Sequence, residues 1–228
     1  MSGRRIAILA SGEGSNMQAI ADACRAGTIA AEIALVLSNR PGAGVLRRAE
    51  ALSVPSECLD HRAFEDRSAF DKALARSIDA RGVDLVVLAG FMRILTETFV
   101  RQYYGSLLNI HPSLLPKYPG LNTHQRALDA GDRKTGATVH YVVPMLDAGP
   151  TIAQTVVPIA AGDTAETLAE RVLIAEHELY PRVIGWWADN RLDLRAERAY
   201  LDGEAIGNAS ADEAHSDAAR DGASGLSF

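Results

Sequence analysis

Short apolar runs alternate with amphipathic segments along the first half of the chain. The apolar runs are typical of buried β-strands and occupy residues 5–10, 31–38, 56–60, 83–90 and 106–110. Between the first four of them, apolar residues recur three and four positions apart, which predicts helices at about residues 16–26, 43–52 and 64–80. Strands that alternate with helices form a mostly parallel sheet covered by helices on both faces. We therefore predict an α/β fold of the Rossmann-like type.

The pattern changes after residue 136. Residues 136–143 and 151–159 alternate apolar and polar positions with a period of two, on either side of the loop PMLDAGP. This pattern predicts antiparallel strands that extend the sheet, followed by a long helix over residues 164–189. We expect one domain over residues 1–202. The remainder, residues 203–228, is rich in Ala, Ser, Gly and Asp, and we expect it to be a disordered acidic tail because it has little apolar surface to bury.

Composition narrows the choice of partners and compartment. The net charge is −6, but the tail holds five acidic residues against one arginine, so the rest of the chain is nearly neutral. A nearly neutral body without a basic stripe argues against nucleic-acid binding. No apolar run approaches the roughly 18 residues of a membrane span. We expect the two cysteines, Cys24 and Cys58, to be buried free thiols, and the protein to be cytoplasmic.

Ligands of open α/β sheets bind outside the carboxyl ends of the strands, and the first of these ends reads SGEGSN, residues 11–16. The glycines let the backbone approach an anion, while Ser15 and Asn16 are residue types that cap helices. The third glycine of a dinucleotide fingerprint is replaced by Met17, and no acidic residue ends the second strand. The segment therefore favours a single phosphate monoester over a dinucleotide, with an ordinary tight turn as the alternative.

A second polar group follows the strand at residues 106–110. Asn109 and His111 are two positions apart on an extended segment, so both point to the same side, where they can donate two hydrogen bonds to one developing oxyanion. Three prolines within residues 112–119 restrict the chain that follows. Asp147, in the loop PMLDAGP, would favour the imidazolium form of His111 if the two were adjacent. A structural histidine and a turn-forming aspartate remain the alternatives.

Other patterns of catalytic or metal-binding residues are weak. The six histidines show no His-Glu-x-x-His spacing and no Cys-x-x-Cys accompanies them, so we predict no metal site. His140 lies on an alternating segment, which is typical of a core or edge histidine. Glu176, within the last long helix, is interpreted from the pattern alone as part of a solvated face.

Several of these segments together resemble a known family. In order and spacing, SGEGSN, LAGFMRIL, LLNIHPSLLPKYPG, THQRAL, HYVVPMLDAGP and AEHELYP resemble the folate-dependent formyltransferases, and among them those that act on glycinamide ribonucleotide in purine biosynthesis. The resemblance covers about residues 4–202. The segment NIHPSLLP with a downstream Asp-x-Gly is shared with methionyl-tRNA formyltransferases and formyltetrahydrofolate hydrolases, whereas SGEGSN favours the ribonucleotide as acceptor.

The resemblance implies a role for each matching position. The catalytic residues would be Asn109, His111 and Asp147. The ribonucleotide would be bound by Gly14, Ser15, Asn16, Arg67 and Glu176. The folate would be bound by Met92, Arg93, Ile94, Leu95, Val143 and Asp147. The N-terminal half of residues 1–202 would thus bind the ribonucleotide and the C-terminal half the folate. One departure is Asn122, where many members of the family have histidine.

The implied reaction is formyl transfer from 10-formyltetrahydrofolate to the amine of phosphoribosylglycinamide. The amine would attack directly, without a covalent enzyme intermediate or a metal, while Asn109 and His111 stabilise the oxyanion. We expect only small-molecule partners and a monomer or weak homodimer. Two alternatives remain at this stage. One is a formyltetrahydrofolate hydrolase on the same scaffold, and the other is a non-catalytic nucleotide-binding module that uses SGEGSN alone.

Overall fold

The computed structural model describes residues 3–206. The strands are β1 (Arg4–Leu9), β2 (Ala31–Ser38), β3 (Ser56–Cys58), β4 (Leu85–Leu88), β5 (Leu107–His111), β6 (Lys134–Tyr141), β7 (Thr151–Pro158), β8 (Leu192–Arg195), β9 (Arg198–Leu201) and β10 (Glu204–Ile206). The helices are α1 (Ser15–Arg25), α2 (Gly44–Ala51), α3 (Arg67–Asp79), α4 (Glu97–Gln102), α5 (Thr123–Asp129) and α6 (Ala165–Ala188). A short 3-10 turn, His61–Ala63, precedes α3.

Seven strands form one sheet in the order β3-β2-β1-β4-β5-β6-β7. The first five are parallel, whereas β6 pairs antiparallel with β5 and β7 antiparallel with β6. The predicted mostly parallel sheet with an antiparallel extension is therefore confirmed. The strand order reverses between β1 and β4, and ligands of open α/β sheets bind at such a reversal.

The alternation of side chains along the strands divides the apolar core between the two faces of the sheet. Ile6 and Ile8 of β1 point to a core formed with α1, α2 and α6, whereas Ala7 and Leu9 point to a second core formed with α3 and α4. All four side chains are fully buried. Burial on both faces explains why the parallel strands are continuous apolar runs, and it holds their carboxyl ends in fixed positions.

Two buried hydroxyl groups tie the strand ends together. Ser11, directly after β1, donates from Oγ to the Asn39 side chain after β2 (2.6 Å) and accepts from the backbone N–H of Met92 after β4 (2.7 Å). The hydroxyl of Tyr180 on α6 lies 3.0 Å from the carbonyl oxygen of Leu88 and 3.1 Å from that of Leu108. The ends of β1, β2, β4 and β5 are thereby held in register with α6.

The structure corrects the sequence predictions in several places. Helices α4 and α5 were not predicted, nor was the separate antiparallel sheet of β8, β9 and β10. Because Glu204–Ile206 pairs with β9, the predicted tail cannot begin at residue 203; residues 207–228 lie outside the described residues. Cys24 is half-buried as a free thiol, but Cys58 is exposed, because β3 is the short edge strand of the sheet.

Candidate active site

A cleft of about 1170 Å³ runs along the carboxyl edge of the sheet. The turn after β1, the segment after β4, the end of β5 and the loops that carry Leu121 and Asp147 line it, and α6 contributes Glu176. The cleft brings together eleven of the thirteen residues that the sequence assigned to a site, and only Leu95 and Val143 do not line it. The eleven are Gly14, Ser15, Asn16, Arg67, Met92, Arg93, Ile94, Asn109, His111, Asp147 and Glu176.

The turn from β1 into α1 is built for close backbone approach. Gly14 has φ +76°, and a Cβ there would lie 2.6 Å from the Val45 side chain, so glycine is required. Gly14 is the N-cap residue of α1, and no side chain accepts from the first turn of the helix. The prediction that Ser15 or Asn16 caps α1 is therefore wrong. The N–H groups of the first turn are left without intrahelical acceptors, which makes this helix end suited to an anion.

Asn16 instead contacts α6. Its Nδ2 donates to Oε2 of Glu176 over 2.7 Å, and both side chains are buried. The interpretation of Glu176 as part of a solvated face is therefore wrong. Burial raises the pKa of Glu176 to about 7, and the hydrogen bond from Asn16 opposes that rise. Oδ1 of Asn16 is buried without a partner among the described residues. The pair therefore places a carboxyl group and an amide oxygen beside the cleft.

Three arginines line the cleft, namely Arg40, Arg67 and Arg93. Within residues 3–206 we find no hydrogen bond or ion pair from the guanidinium groups of Arg40 and Arg67, and Nε of Arg93 is buried without an acceptor. Arg40 was not predicted. It directly follows Asn39, which Ser11 binds, so the loop after β2 lies against the turn after β1. Free cationic groups beside open N–H groups suit a phosphate.

Asn109, His111 and Asp147 meet at the end of β5. Nδ1 of His111 lies 3.5 Å from Oδ2 of Asp147, and both side chains are more than nine-tenths buried. Nε2 of His111 donates to the carbonyl oxygen of Tyr118 over 2.9 Å. Both ring nitrogens of His111 thus face oxygen acceptors. The contact with Asp147 is longer than a normal hydrogen bond, so the Nδ1–H group is the less engaged donor.

The loop between β6 and β7 fixes Asp147 in place. Asp147 has φ +50°, a left-handed conformation that aspartate tolerates better than most residues. Its Oδ2 accepts from the backbone N–H of Gly120 over 2.8 Å, which joins this loop to the one before α5. A Cβ at Gly149 would lie 1.8 Å from the carbonyl oxygen of Tyr141, so glycine is needed there as well. The position of Asp147 therefore depends on backbone contacts as well as on its contact with His111.

His140 is a further member of this group. It lies on β6 opposite Asn109 in the antiparallel register and is 2% exposed. Its Nε2 lies 3.1 Å from Nδ2 of Asn109 and 3.8 Å from Oδ1 of Asp147. The prediction of a core histidine is correct for its burial. It missed the contact with Asn109, which depends on the register of β5 with β6.

The other end of the cleft carries exposed apolar side chains. Met92 is 51% exposed, Ile94 58% and Leu146 54%, and all three line the cleft. Leu146 lies between Val143 and Asp147, in the loop that the resemblance assigned to the folate. Leu95 belongs instead to the core formed with α3 and α4, because it follows Ile94 and points to the opposite side, and Val143 lies outside the cleft lining. An apolar rim with Arg93 beside it suits a flat, largely apolar ligand with polar edges.

The loop before α5 completes the lining. Asn122 is exposed, has φ +57° and is the N-cap residue of α5 without a side-chain hydrogen bond to the helix. His124, which was not predicted, has its Nδ1 buried without a partner among the described residues. Burial and the neighbouring His111 lower the pKa of His124. A neutral histidine therefore lies near the imidazole of His111.

Residues 3–206 contain neither a cluster of side chains suited to a metal ion nor a membrane-spanning helix. No group of three or more His, Cys, Asp or Glu side chains is placed to hold a metal ion. No helix there is long and apolar enough to cross a membrane.

A Rossmann-like sheet whose cleft joins a turn suited to an anion with an amide, an imidazole and a carboxylate suits a group-transfer enzyme. The family model described as formyl transferase matches residues 4–184. Phosphoribosylglycinamide formyltransferase of Escherichia coli is 49% identical over 201 residues, which cover 88% of this chain and 95% of that protein. The chain therefore belongs to the formyltransferase family.

Solved structures agree. The phosphoribosylglycinamide formyltransferase of Coxiella burnetii has a TM-score of 0.86 and 46% identity, and the match covers 91% of this chain and 99% of that one. A formyltetrahydrofolate deformylase of Pseudomonas syringae has a TM-score of 0.81 but only 26% identity, over 87% of this chain and 65% of that one. The hydrolase alternative is thus represented by a more distant relative.

Proposed function

We propose that the protein transfers the formyl group of 10-formyltetrahydrofolate to the amine of phosphoribosylglycinamide in purine biosynthesis. One observation carries the proposal. A hydrogen-bonding group suited to an acyl oxyanion lies in the same cleft as a turn suited to an anion and as Arg40 and Arg67, whose guanidinium groups have no partner within residues 3–206. A hydrolase needs only the first of these features, because its nucleophile is water. Two relatives that align over 88% and 89% of the chain carry the name of the transferase.

Asn109 and His111 stabilise the charge that develops on the formyl oxygen as the amine adds to the formyl carbon. The Asn109 amide supplies one N–H group and the imidazolium of His111 supplies another. Donors of this kind act strongly in a buried site because they are already oriented when the charge forms. His111 is 5% exposed, so little water competes with its hydrogen bond.

Asp147 has two tasks in this proposal. Its carboxylate keeps His111 protonated across 3.5 Å, and its backbone contacts hold it there. It also accepts the proton that the attacking amine gives up, through water, so that the proton reaches the leaving nitrogen. The formyl carbon passes from one nitrogen to the other, and no bond to the protein forms.

The ribonucleotide phosphate binds at the start of α1. Gly14, Ser15 and Asn16 offer backbone N–H groups, and Arg67 supplies positive charge, with Arg40 as an addition from the structure. Glu176 accepts from the ribose hydroxyl groups. The buried Asn16–Glu176 pair supports this role, because both residues line the cleft.

The folate occupies the apolar end. Met92, Ile94 and Leu146 offer apolar surface for its ring systems, and the backbone after β4 offers polar groups to the ring edge. Arg93 lies beside this surface. Leu95 contributes through the backbone of residues 92–95, since its side chain belongs to the core. Val143, which lies outside the cleft lining, is proposed only as a backbone contact in the loop that leads to Asp147.

Small molecules are the only partners that we propose, and we place the reaction in the cytoplasm, with the chain a monomer or a weak dimer. The nearly neutral charge of the body supports the exclusion of nucleic acid.

Formation of tetrahydrofolate, followed spectroscopically with and without phosphoribosylglycinamide, tests the proposal. We expect turnover only with both substrates. Asn109→Ala should lower kcat by about 10²- to 10³-fold with small changes in either KM, since it removes one oxyanion donor. Wild-type protein that shows no turnover with both substrates, or an Asn109→Ala variant with normal kcat, would contradict it.

A further inference from the structure

His140 is a buried polar side chain to which the proposed mechanism gives no role. It is 2% exposed and contacts three groups at the end of β5 and β6. Nδ1 lies 2.8 Å from the carbonyl oxygen of Tyr141, Nε2 lies 3.1 Å from Nδ2 of Asn109, and Nε2 also lies 3.8 Å from Oδ1 of Asp147. A histidine with two short, oppositely directed contacts is fixed in both position and orientation.

The contacts determine where the proton of His140 lies. A carbonyl oxygen only accepts, so Nδ1 carries a hydrogen and donates it to Tyr141. An amide nitrogen only donates, so Nε2 accepts from Nδ2 of Asn109 and carries no hydrogen. Only the neutral ring with its proton on Nδ1 satisfies both contacts. Burial and the adjacent His111 lower the pKa of His140, which also favours the neutral ring.

The same contact ties the orientation of the Asn109 amide to the state of the His140 ring. An amide has a donating end and an accepting end of nearly equal shape, and either can face a given direction. With an acceptor at Nε2 of His140, the Nδ2 end is fixed against β6, and one of its two N–H groups is bound there. The second N–H remains for the substrate. A donor at this position of His140 would turn the amide and present a lone pair to the oxyanion instead.

We propose that His140 is a positioning residue that, as a neutral hydrogen-bond acceptor, holds the Asn109 amide with its free N–H directed at the formyl oxygen. The proposal rests on the proposed function, since it assigns Asn109 as an oxyanion donor. The neutral ring has a second consequence. Because Nε2 carries no hydrogen, His140 does not bind Asp147 across their 3.8 Å, and the carboxylate remains available to His111.

A double-mutant cycle between His140 and Asn109 tests the proposal. His140→Leu places an apolar side chain at this buried position and removes the acceptor. We expect it to lower kcat by about 10²-fold, with both KM values within about threefold of the wild type, since the loss lies in the transition state. In an Asn109→Ala background the same substitution should lower kcat by less than about threefold, because the amide that it orients is gone.

His140→Gln is the matched variant, because its Oε1 can accept near the position of Nε2. We expect the kcat of His140→Gln to be at least about tenfold higher than that of His140→Leu. Val139→Ala, on the same strand but directed into the core with α6, should lower the melting temperature and leave kcat near the wild-type value. This control shows how far kcat falls when β6 is destabilised but the contact between His140 and Asn109 is unchanged.

The outcomes separate this inference from the function itself. Wild-type protein without formyl transfer contradicts the proposed function. An active wild type with a near-normal His140→Leu variant contradicts the positioning role. Equal kcat losses from His140→Leu in the wild-type and Asn109→Ala backgrounds also contradict it. If His140→Leu does not fold, His140→Gln decides the question. A folded His140→Gln variant whose kcat is reduced 10²-fold or more, about as low as that of Asn109→Ala, overturns the proposal. A kcat in that variant close to the wild-type value supports it.

Discussion

Glu176 gives a prediction whose size follows from the structure. Burial raises its pKa from an ordinary value of 4.5 to about 7, even though Asn16 donates to it. A group whose pKa is higher in the folded state stabilises the fold below its unfolded pKa, and that stabilisation is lost as the pH rises through the folded pKa. The wild type should therefore lose stability between pH 4.5 and 7.

Glu176→Gln keeps the size of the side chain and an oxygen that accepts from Asn16, but it cannot ionise. One pKa unit corresponds to about 1.4 kcal/mol, so complete titration would change the free energy of unfolding by about 3 kcal/mol. About 1 kcal/mol of that is already lost at pH 5, because the unfolded state ionises first. Between pH 5 and 8.5, the free energy of unfolding of the variant should therefore rise by about 2 kcal/mol relative to that of the wild type.

Thermal unfolding of the two proteins across this pH range measures the effect. For a chain of this size, about 2 kcal/mol corresponds to a shift of about 4–8 °C in the Tm difference. Glu178→Gln is the control, since Glu178 lies two positions along α6 and is exposed. A Tm difference between Glu176→Gln and wild type that stays constant from pH 5 to 8.5 would refute the reasoning. It would mean that the carboxyl group ionises as easily in the fold as in water.

Three further predictions concern the cleft and the tail. Arg67→Ala should raise KM for the ribonucleotide about tenfold or more with little change in folate binding, because a charge-assisted phosphate contact is lost at one end of the cleft only. Arg76, which is exposed on the same helix, provides the control variant Arg76→Ala. An equal rise in KM for both substrates would argue against the assignment. Asp147→Asn should lower kcat by about 10²-fold while folate affinity, measured by fluorescence titration, changes far less, and near-normal turnover would exclude Asp147 from catalysis. Deletion of residues 207–228 should leave Tm within about 2 °C and kcat unchanged, because their composition offers little apolar surface; a loss of several degrees would show that they pack on the body.

The parallel part of the fold was predictable because its signal is local. Strands buried on both faces are continuous apolar runs, and the helices between them have one apolar side. The small second sheet was harder, since β8 and β9 are short, and the turn at Ala196 and Glu197 lacks the glycine or asparagine that usually marks a hairpin. A signal did exist at Asp202-Gly203, a dipeptide typical of tight hairpins, and it places β10 inside the predicted tail.

The site shows the same division between local and long-range information. Asn109 and His111 were found because they lie two residues apart on one strand, and Asp147 because a Gly- and Pro-bounded loop carries it. His140 and Glu176 depend on contacts between residues 31 and 160 positions apart in sequence, which periodicity does not report. Leu95 was misplaced for a related reason. The resemblance names a segment, whereas the twist of the chain decides which side chains of that segment face the cleft.

The choice between transfer and hydrolysis is tested most directly by the fate of the formyl carbon. Wild-type protein is mixed with folate that carries a ¹³C-labelled formyl group, with and without phosphoribosylglycinamide, and the label is followed by NMR. We predict that with the ribonucleotide the label appears in the formamide of the product. Without it, formate should accumulate no faster than in the absence of protein. Rapid release of labelled formate without the amine acceptor would contradict the account and identify the protein as a hydrolase.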